Sequence, residues 1–162
     1  MIRLATIKDL EAIKDIYADA RAFIATYGSP QWQNHYPSDA ITLKDIEQKA
    51  LFLYEDNEIL GVMSVFDYES TYDDIDGVWL SNKPYKVIHR IATKKGHYHK
   101  GISAKLIEYV FKNLKADSIR IDTHSLNIPM QSLLTKLGFH HCGTIYLNQL
   151  NDRERMAFQK DI

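Results

Sequence analysis

The sequence contains a single cysteine, Cys142, in 162 residues. A lone thiol excludes an internal disulfide framework and is compatible with a reducing compartment. Net charge is nearly absent as well, since 20 Lys and Arg stand against 21 Asp and Glu. There is no bulk positive field to hold nucleic acid or an anionic membrane, so neither is expected as a partner. No apolar run approaches the length of a membrane span. The opening residues, Met1-Ile2-Arg3-Leu4-Ala5-Thr6-Ile7-Lys8-Asp9, lack the apolar stretch of a secretory signal. A cytoplasmic setting is therefore expected. Only four prolines and seven glycines are present, with no linker, internal repeat or low-complexity tract. The chain reads as one domain over residues 1–162, long enough to bury a substantial core.

What is present is clear periodicity. Ile2–Ala5 reads as a short strand, followed by a Thr6-x-x-Asp9 capping pattern. Ile7, Leu10, Ile13, Ile16 and Tyr17 recur at helical spacing, which predicts a helix to about Tyr27, stopped by Gly28. Thr42 and Asp45 repeat the capping pattern and predict a second helix over Leu43–Ala50. Leu51–Tyr54 and Ile59–Tyr68 read as strands joined at Asp56-Asn57-Glu58. Glu69–Pro84 is polar, with Trp79 as its one large apolar residue, and connections of that length are often functional. Tyr85–Thr93 is a strand of buried type in which alternation places Val87, His89 and Ile91 opposite Ile88, Arg90 and Ala92. Ile102–Leu114 is a helix, Ser118–Asp122 a strand, and Asn127–Leu137 a helix ending at Gly138. His141–Tyr146 and Arg155–Gln159 form a closing pair. Strands alternating with helices in the second half, and hairpins elsewhere, imply a mixed α/β sheet with helices on its faces.

The most informative segment is the strand Val87–Thr93, a polar turn, and Tyr98-His99-Lys100-Gly101-Ile102-Ser103-Ala104 opening a helix. The first N–H groups of a helix lack internal partners, and its dipole favours negative charge there. A pyrophosphate suits such a site. Gly101 permits close backbone approach, Ser103 and Ala104 are small, and Lys100 adds charge. A plain strand–turn–helix corner is the competing reading. Neither the Gly-x-x-x-x-Gly-Lys-Ser/Thr order nor the dinucleotide Gly-x-Gly-x-x-Gly pattern is present.

This turn, the later Ile119–Gln131 stretch and Lys136-Leu137-Gly138-Phe139 resemble the GNAT superfamily of N-acetyltransferases over nearly the whole chain. In that family the turn is written Arg/Gln-x-x-Gly-x-Gly/Ala; here Tyr98 and Ser103 depart from it and Gly101 matches. The resemblance implies acetyl-CoA as co-substrate, without a metal. It assigns the pantetheine arm to the backbone of Ile91, Ala92 and Thr93, as an added strand would bind. The pyrophosphate falls to Tyr98, His99, Lys100, Gly101, Ile102, Ser103 and Ala104. Asn127 is assigned to the cofactor, or else to capping the helix it precedes, and Met130 packs near the cofactor.

The resemblance further implies direct attack of an amine on the thioester, with a base to deprotonate the amine and an N–H to hold the oxyanion. Many relatives carry an acid on the strand before the turn. None stands there, and His89 takes the place of base, as in arylalkylamine acetyltransferases; a histidine titrates near neutrality. The family's acid is often a Tyr four residues before the Gly of the Gly-Phe pair. Here that position is Leu134, and Tyr146 is the nearest substitute. Trp32 and Tyr36 in the loop between the first helices, with Asp122 and His124 past a strand end, are candidates for the acceptor pocket; packing and loop hydrogen bonding are their alternatives. The acceptor is expected to be a small-molecule or protein amine, and a homodimer is possible. A non-catalytic acyl-CoA-binding or regulatory module is the rival reading. Cys142 is read as a packed thiol, and His97, His99, His140 and His141 as solvated or structural histidines.

Overall fold

The computed structural model describes all of residues 1–162. Its strands are β1 (Ile2–Leu4), β2 (Leu51–Asp56), β3 (Glu58–Phe66), β4 (Asp76–Gly77), β5 (Lys86–Thr93), β6 (Ser118–Thr123), β7 (His140–Tyr146) and β8 (Glu154–Asp161). Its helices are α1 (Leu10–Ala25), α2 (Asp39–Glu47), α3 (Ile102–Asn113) and α4 (Ile128–Lys136). The strands form one mixed sheet in the order β1-β2-β3-β5-β6-β8-β7-β4. Only β5 and β6 pair in parallel, as a right-handed crossover through α3 demands.

Two apolar clusters sandwich the sheet. On one face Ile13, Ile16, Tyr17 and Ala20 of α1 pack on Leu51, Leu53, Val62 and Ala92. On the other, Ile102, Leu106, Ile107 and Val110 of α3 and Leu134 of α4 pack on Met63, Val65, Ile88, Ile119 and Phe158. A smaller cluster of Tyr72, Val87, Ile145 and Ala157 fills the α1 face beneath the connection 67–85.

The start of α1 follows its sequence signal. Thr6 and Asp9 form the capping box around a 3-10 turn, Ile7–Asp9, and Arg3 holds Asp9 at 2.9 Å. That turn leaves Ile7 exposed, so it drops out of the helical core stripe. The second helix departs from expectation. It begins at Asp39, four residues early, because Ser38 is the N-cap and accepts from the Ile41 N–H. Thr42 and Asp45 lie inside the helix and are buried. The long polar connection also contains more than expected. Ser70–Tyr72 is a 3-10 turn that Glu69 caps, and Asp76–Gly77 pairs with β7.

The alternation expected along β5 fails at Arg90. Ser64 pairs with His89 and Val62 with Ala92, so β5 carries one extra residue. Arg90 absorbs it with φ +53. This bulge sends Ile91 to the α3 face beside Ile88, and brings Arg90 and Ala92 to the α1 face beside His89. A bulge re-aims side chains and ends pairing. Here β5 and β6 pair only at Lys86–Ile119 and Val87–Arg120. Beyond that point the two strands separate, and the edge of residues 88–93 facing β6 has no strand partner.

Candidate active site

The gap between β5 and β6 opens into a cleft of about 1170 Å³. Its floor is the bulged strand, with Ile91, Ala92 and Thr93 along it. One end is the turn into α3. His99 and Gly101 both take left-handed φ, at +63 and +76, which folds the chain back so that the helix N-terminus faces the cleft. No side chain caps α3, and nothing lies within 4 Å of where a Cβ on Gly101 would stand. The first-turn N–H groups are therefore open to an anion. Tyr98, His99, Gly101, Ile102, Ser103 and Ala104 all line this end. Lys100 does not; it borders a separate hollow with Glu58 and Lys105. The Ser103 hydroxyl lies 3.0 Å from that of Thr93, and Tyr98 stacks on Phe23 at 4.7 Å.

Asn127 and Met130 line the cleft from the start of α4. The Asn127 carbonyl caps α4 by accepting from the Met130 N–H, and its amide donates to Gln31 at 3.1 Å. The capping alternative is thus realised, at a residue that still faces the cleft.

At the other end His89 stands among three polar groups. Its Nε2 is 3.0 Å from Glu69 Oε2, and its Nδ1 is 3.7 Å from Asp122 Oδ2. The Tyr72 hydroxyl donates to the same Asp122 oxygen at 2.7 Å. Hydrogen bonding from His89, aided by Thr71, holds the Glu69 carboxyl at about 2, against the pull of burial, so it is ionised at neutral pH. Burial and Asp122 push the Tyr72 phenol upward. Trp32 and Tyr36 also face this end, whereas Tyr146 and His124 do not. Tyr146 is exposed on β7. His124 is buried, accepting from the Leu126 N–H on Nδ1 and meeting Asp152 at 2.8 Å through Nε2. Leu134 is fully buried in the α3 face. Burial raises the Cys142 thiol, which argues against a thiolate nucleophile there.

Sequence reasoning missed Glu69, which reaches His89 from the connection after β3, and Arg90, which forks onto Asp45. The Glu69-Ser70-Thr71 string is a local capping signal. Nothing in the pattern shows that its carboxylate meets a histidine 20 residues on. Arg90 is visible as a charge inside an apolar strand, a placement that requires a buried partner.

Residues 1–140 match the model of the acetyltransferase (GNAT) domain. The chain belongs to the GNAT acetyltransferase family. An acetyltransferase of that family from Streptococcus agalactiae is 33% identical, with the match covering 100% of this chain and 95% of the other at a TM-score of 0.92. A candidate acetyltransferase from Staphylococcus aureus is 31% identical over 99% and 98% of the two chains, with a TM-score of 0.73. The PaiA N-acetyltransferase of Thermoplasma acidophilum, solved in complex with coenzyme A, shares the fold at 18% identity, over 100% and 98% of the chains with a TM-score of 0.69. No curated protein matches the chain. The mixed α/β architecture expected of a GNAT domain is thereby established. No helix is long and apolar enough to cross a membrane.

Proposed function

We propose that this GNAT domain transfers the acetyl group of acetyl-CoA to an amine, on a small molecule or a protein, by direct attack with His89 as general base. The observation that carries the reading is His89 between Glu69 and Asp122, in a cleft floored by an unpaired strand edge. The cleft fits acetyl-CoA on its own terms. The unpartnered edge of residues 88–93 offers N–H and C=O groups to the pantetheine amides, and the uncapped α3 N-terminus offers N–H groups to the pyrophosphate.

Ionised Glu69 accepts a proton bond from His89 Nε2–H, which leaves the lone pair on Nδ1. At 3.7 Å from Asp122 that nitrogen has no direct hydrogen bond to the carboxylate. Asp122 uses Oδ2 for Tyr72, and its second oxygen is left to accept from an incoming amine that has already given its ammonium proton to solvent. Nδ1 takes the amine's proton as nitrogen attacks the thioester carbonyl. The charge that develops on the carbonyl oxygen meets a backbone N–H of the bulged segment, at Ile91 or Ala92. The same imidazolium returns the proton to the departing thiolate, since Tyr146 lies outside the cleft.

The test is a panel of amines with acetyl-CoA, read by release of free CoA thiol. Turnover with at least one amine, lost in His89→Ala, supports the proposal. Acetyl-CoA that stabilises the fold, by about 2.7 kcal/mol at hundredfold excess over Kd, yet never releases thiol would support the non-catalytic module instead.

A further inference from the structure

The strand that carries His89 also holds a buried ion pair that the chemistry above leaves idle. Arg90 Nε and Nη2 fork onto Asp45 of α2 at 2.8 and 3.0 Å, with the two side chains 11% and 4% exposed. The Ser64 hydroxyl donates to Asp45 at 2.6 Å. The remaining Arg90 nitrogen, Nη1, donates to the Tyr36 hydroxyl at 2.7 Å. One guanidinium thus joins the bulge, helix α2 and the acceptor wall.

Stability alone accounts poorly for this arrangement. A residue other than glycine at φ +53 is strained. A buried ion pair adds little over an apolar pair of similar volume. What the fork adds is direction, because a planar guanidinium fixes two partners in angle as well as distance. Both Arg90 and Tyr36 line the cleft. With one lone pair of its oxygen taken by Arg90, Tyr36 keeps its own proton to donate inward.

We propose that Arg90 is a positioning residue that locks the acceptor wall at Tyr36 to the bulged strand beside His89, so that acceptor binding and alignment of the oxyanion-facing N–H groups are set together. The inference rests on the acetyl-transfer reading.

The test is steady-state kinetics on Tyr36→Phe, Arg90→Lys and the double variant, with acetyl-CoA and an amine the wild type uses. Tyr36→Phe removes only the hydroxyl, and is expected to raise the acceptor KM while leaving the acetyl-CoA KM and Tm near wild type. Arg90→Lys keeps the charge and loses the fork, and is expected to lower kcat/KM for the acceptor about tenfold or more. Tyr36→Phe should then cost less in the Arg90→Lys background than it does alone, because the link that aims the hydroxyl is already broken. Wild-type kinetics in Arg90→Lys, or fully additive losses, overturn the proposal. If Arg90→Lys does not fold, an unchanged acceptor KM in Tyr36→Phe overturns it alone. Wild-type protein that acetylates no amine overturns the activity reading and this one with it, whereas an active wild type matched by both variants overturns only the positioning role.

Discussion

Gly61→Ala probes how closely the α3 end of the cleft is built. Gly61 sits on β3 opposite Thr93, under the first turn of α3. A Cβ placed there would stand 2.5 Å from Ile102 Cγ2 and 3.2 Å from Leu106 Cδ1. Carbon atoms pack best at about 3.5–4.0 Å, so Ile102 must retreat by roughly 1 Å. Ile102 is 4% exposed and leads the helix whose N–H groups face the cleft, so its retreat either shifts that first turn or pushes its side chain into the cleft it lines. Gly61 has no left-handed φ; in an open strand the same change would stabilise by about 0.5–1 kcal/mol. Overpacking reverses that sign, at a cost of about 1–3 kcal/mol. For a domain of this size each kcal/mol lowers Tm by about 2–4 °C. Thermal denaturation with and without acetyl-CoA reads both effects: Tm falls, and the stabilisation by acetyl-CoA shrinks as the donors shift. Ile102→Ala should cost less stability in the Gly61→Ala background than in the wild type, because it also removes the clashing methyl. A Gly61→Ala protein as stable as wild type, with full acetyl-CoA stabilisation, would refute the argument.

Four further outcomes follow from other parts of the molecule. Glu69→Gln keeps the shape but removes the charge that orients His89, so kcat should fall with little change in acetyl-CoA KM, in a pH–rate profile altered on its acid side. Glu69 and Asp9 both titrate below the ordinary carboxylate range. Their contribution to stability is complete above that range and is lost as pH falls through the folded values, so urea midpoints should drop on acidification below about pH 4. Leu134→Tyr places a phenol at a fully buried position in the α3 face; it should lower Tm and restore no activity to His89→Ala. Gly143→Ala would bring a Cβ within 2.2 Å of the Asp76 carbonyl oxygen, so β4 should detach from β7, read as faster amide exchange in residues 76–78.

Much of this was legible in the chain. The strand–turn–helix at residues 87–104 and the Asn127 and Lys136–Phe139 strings point to the GNAT fold because they are local and carry their own geometry. The second helix was misplaced because Thr42 and Asp45 imitate a cap, while their real work is tertiary: Asp45 is spent on Arg90 and Ser64. Strict alternation along β5 failed for a similar reason. A bulge depends on register with β3, and no single strand records it. Glu69 and Tyr72 stayed hidden because a polar connection gives no sign of which of its residues folds inward. Tyr72 is fully buried there, whereas Trp79, the residue that hydrophobicity singles out, only packs beside it and donates its indole N–H to the Tyr72 carbonyl.

The position of β8 has a consequence for how the molecule is made. It is the last strand in sequence, yet it lies inside the sheet, pairing Thr123 to Met156 on one side and Tyr146 to Glu154 on the other. While the chain is being synthesised, β1, β2, β3 and β5 with α1 and α3 can assemble as residues emerge. The half formed by β6, β7 and β4 cannot close until β8 leaves the ribosome. Until then β6 shows a bare edge whose neighbouring face includes Ile119 and Ile121. The nascent domain is therefore most exposed to aggregation between the emergence of β6 and that of β8, and slowing translation there should lower soluble yield more than slowing it earlier.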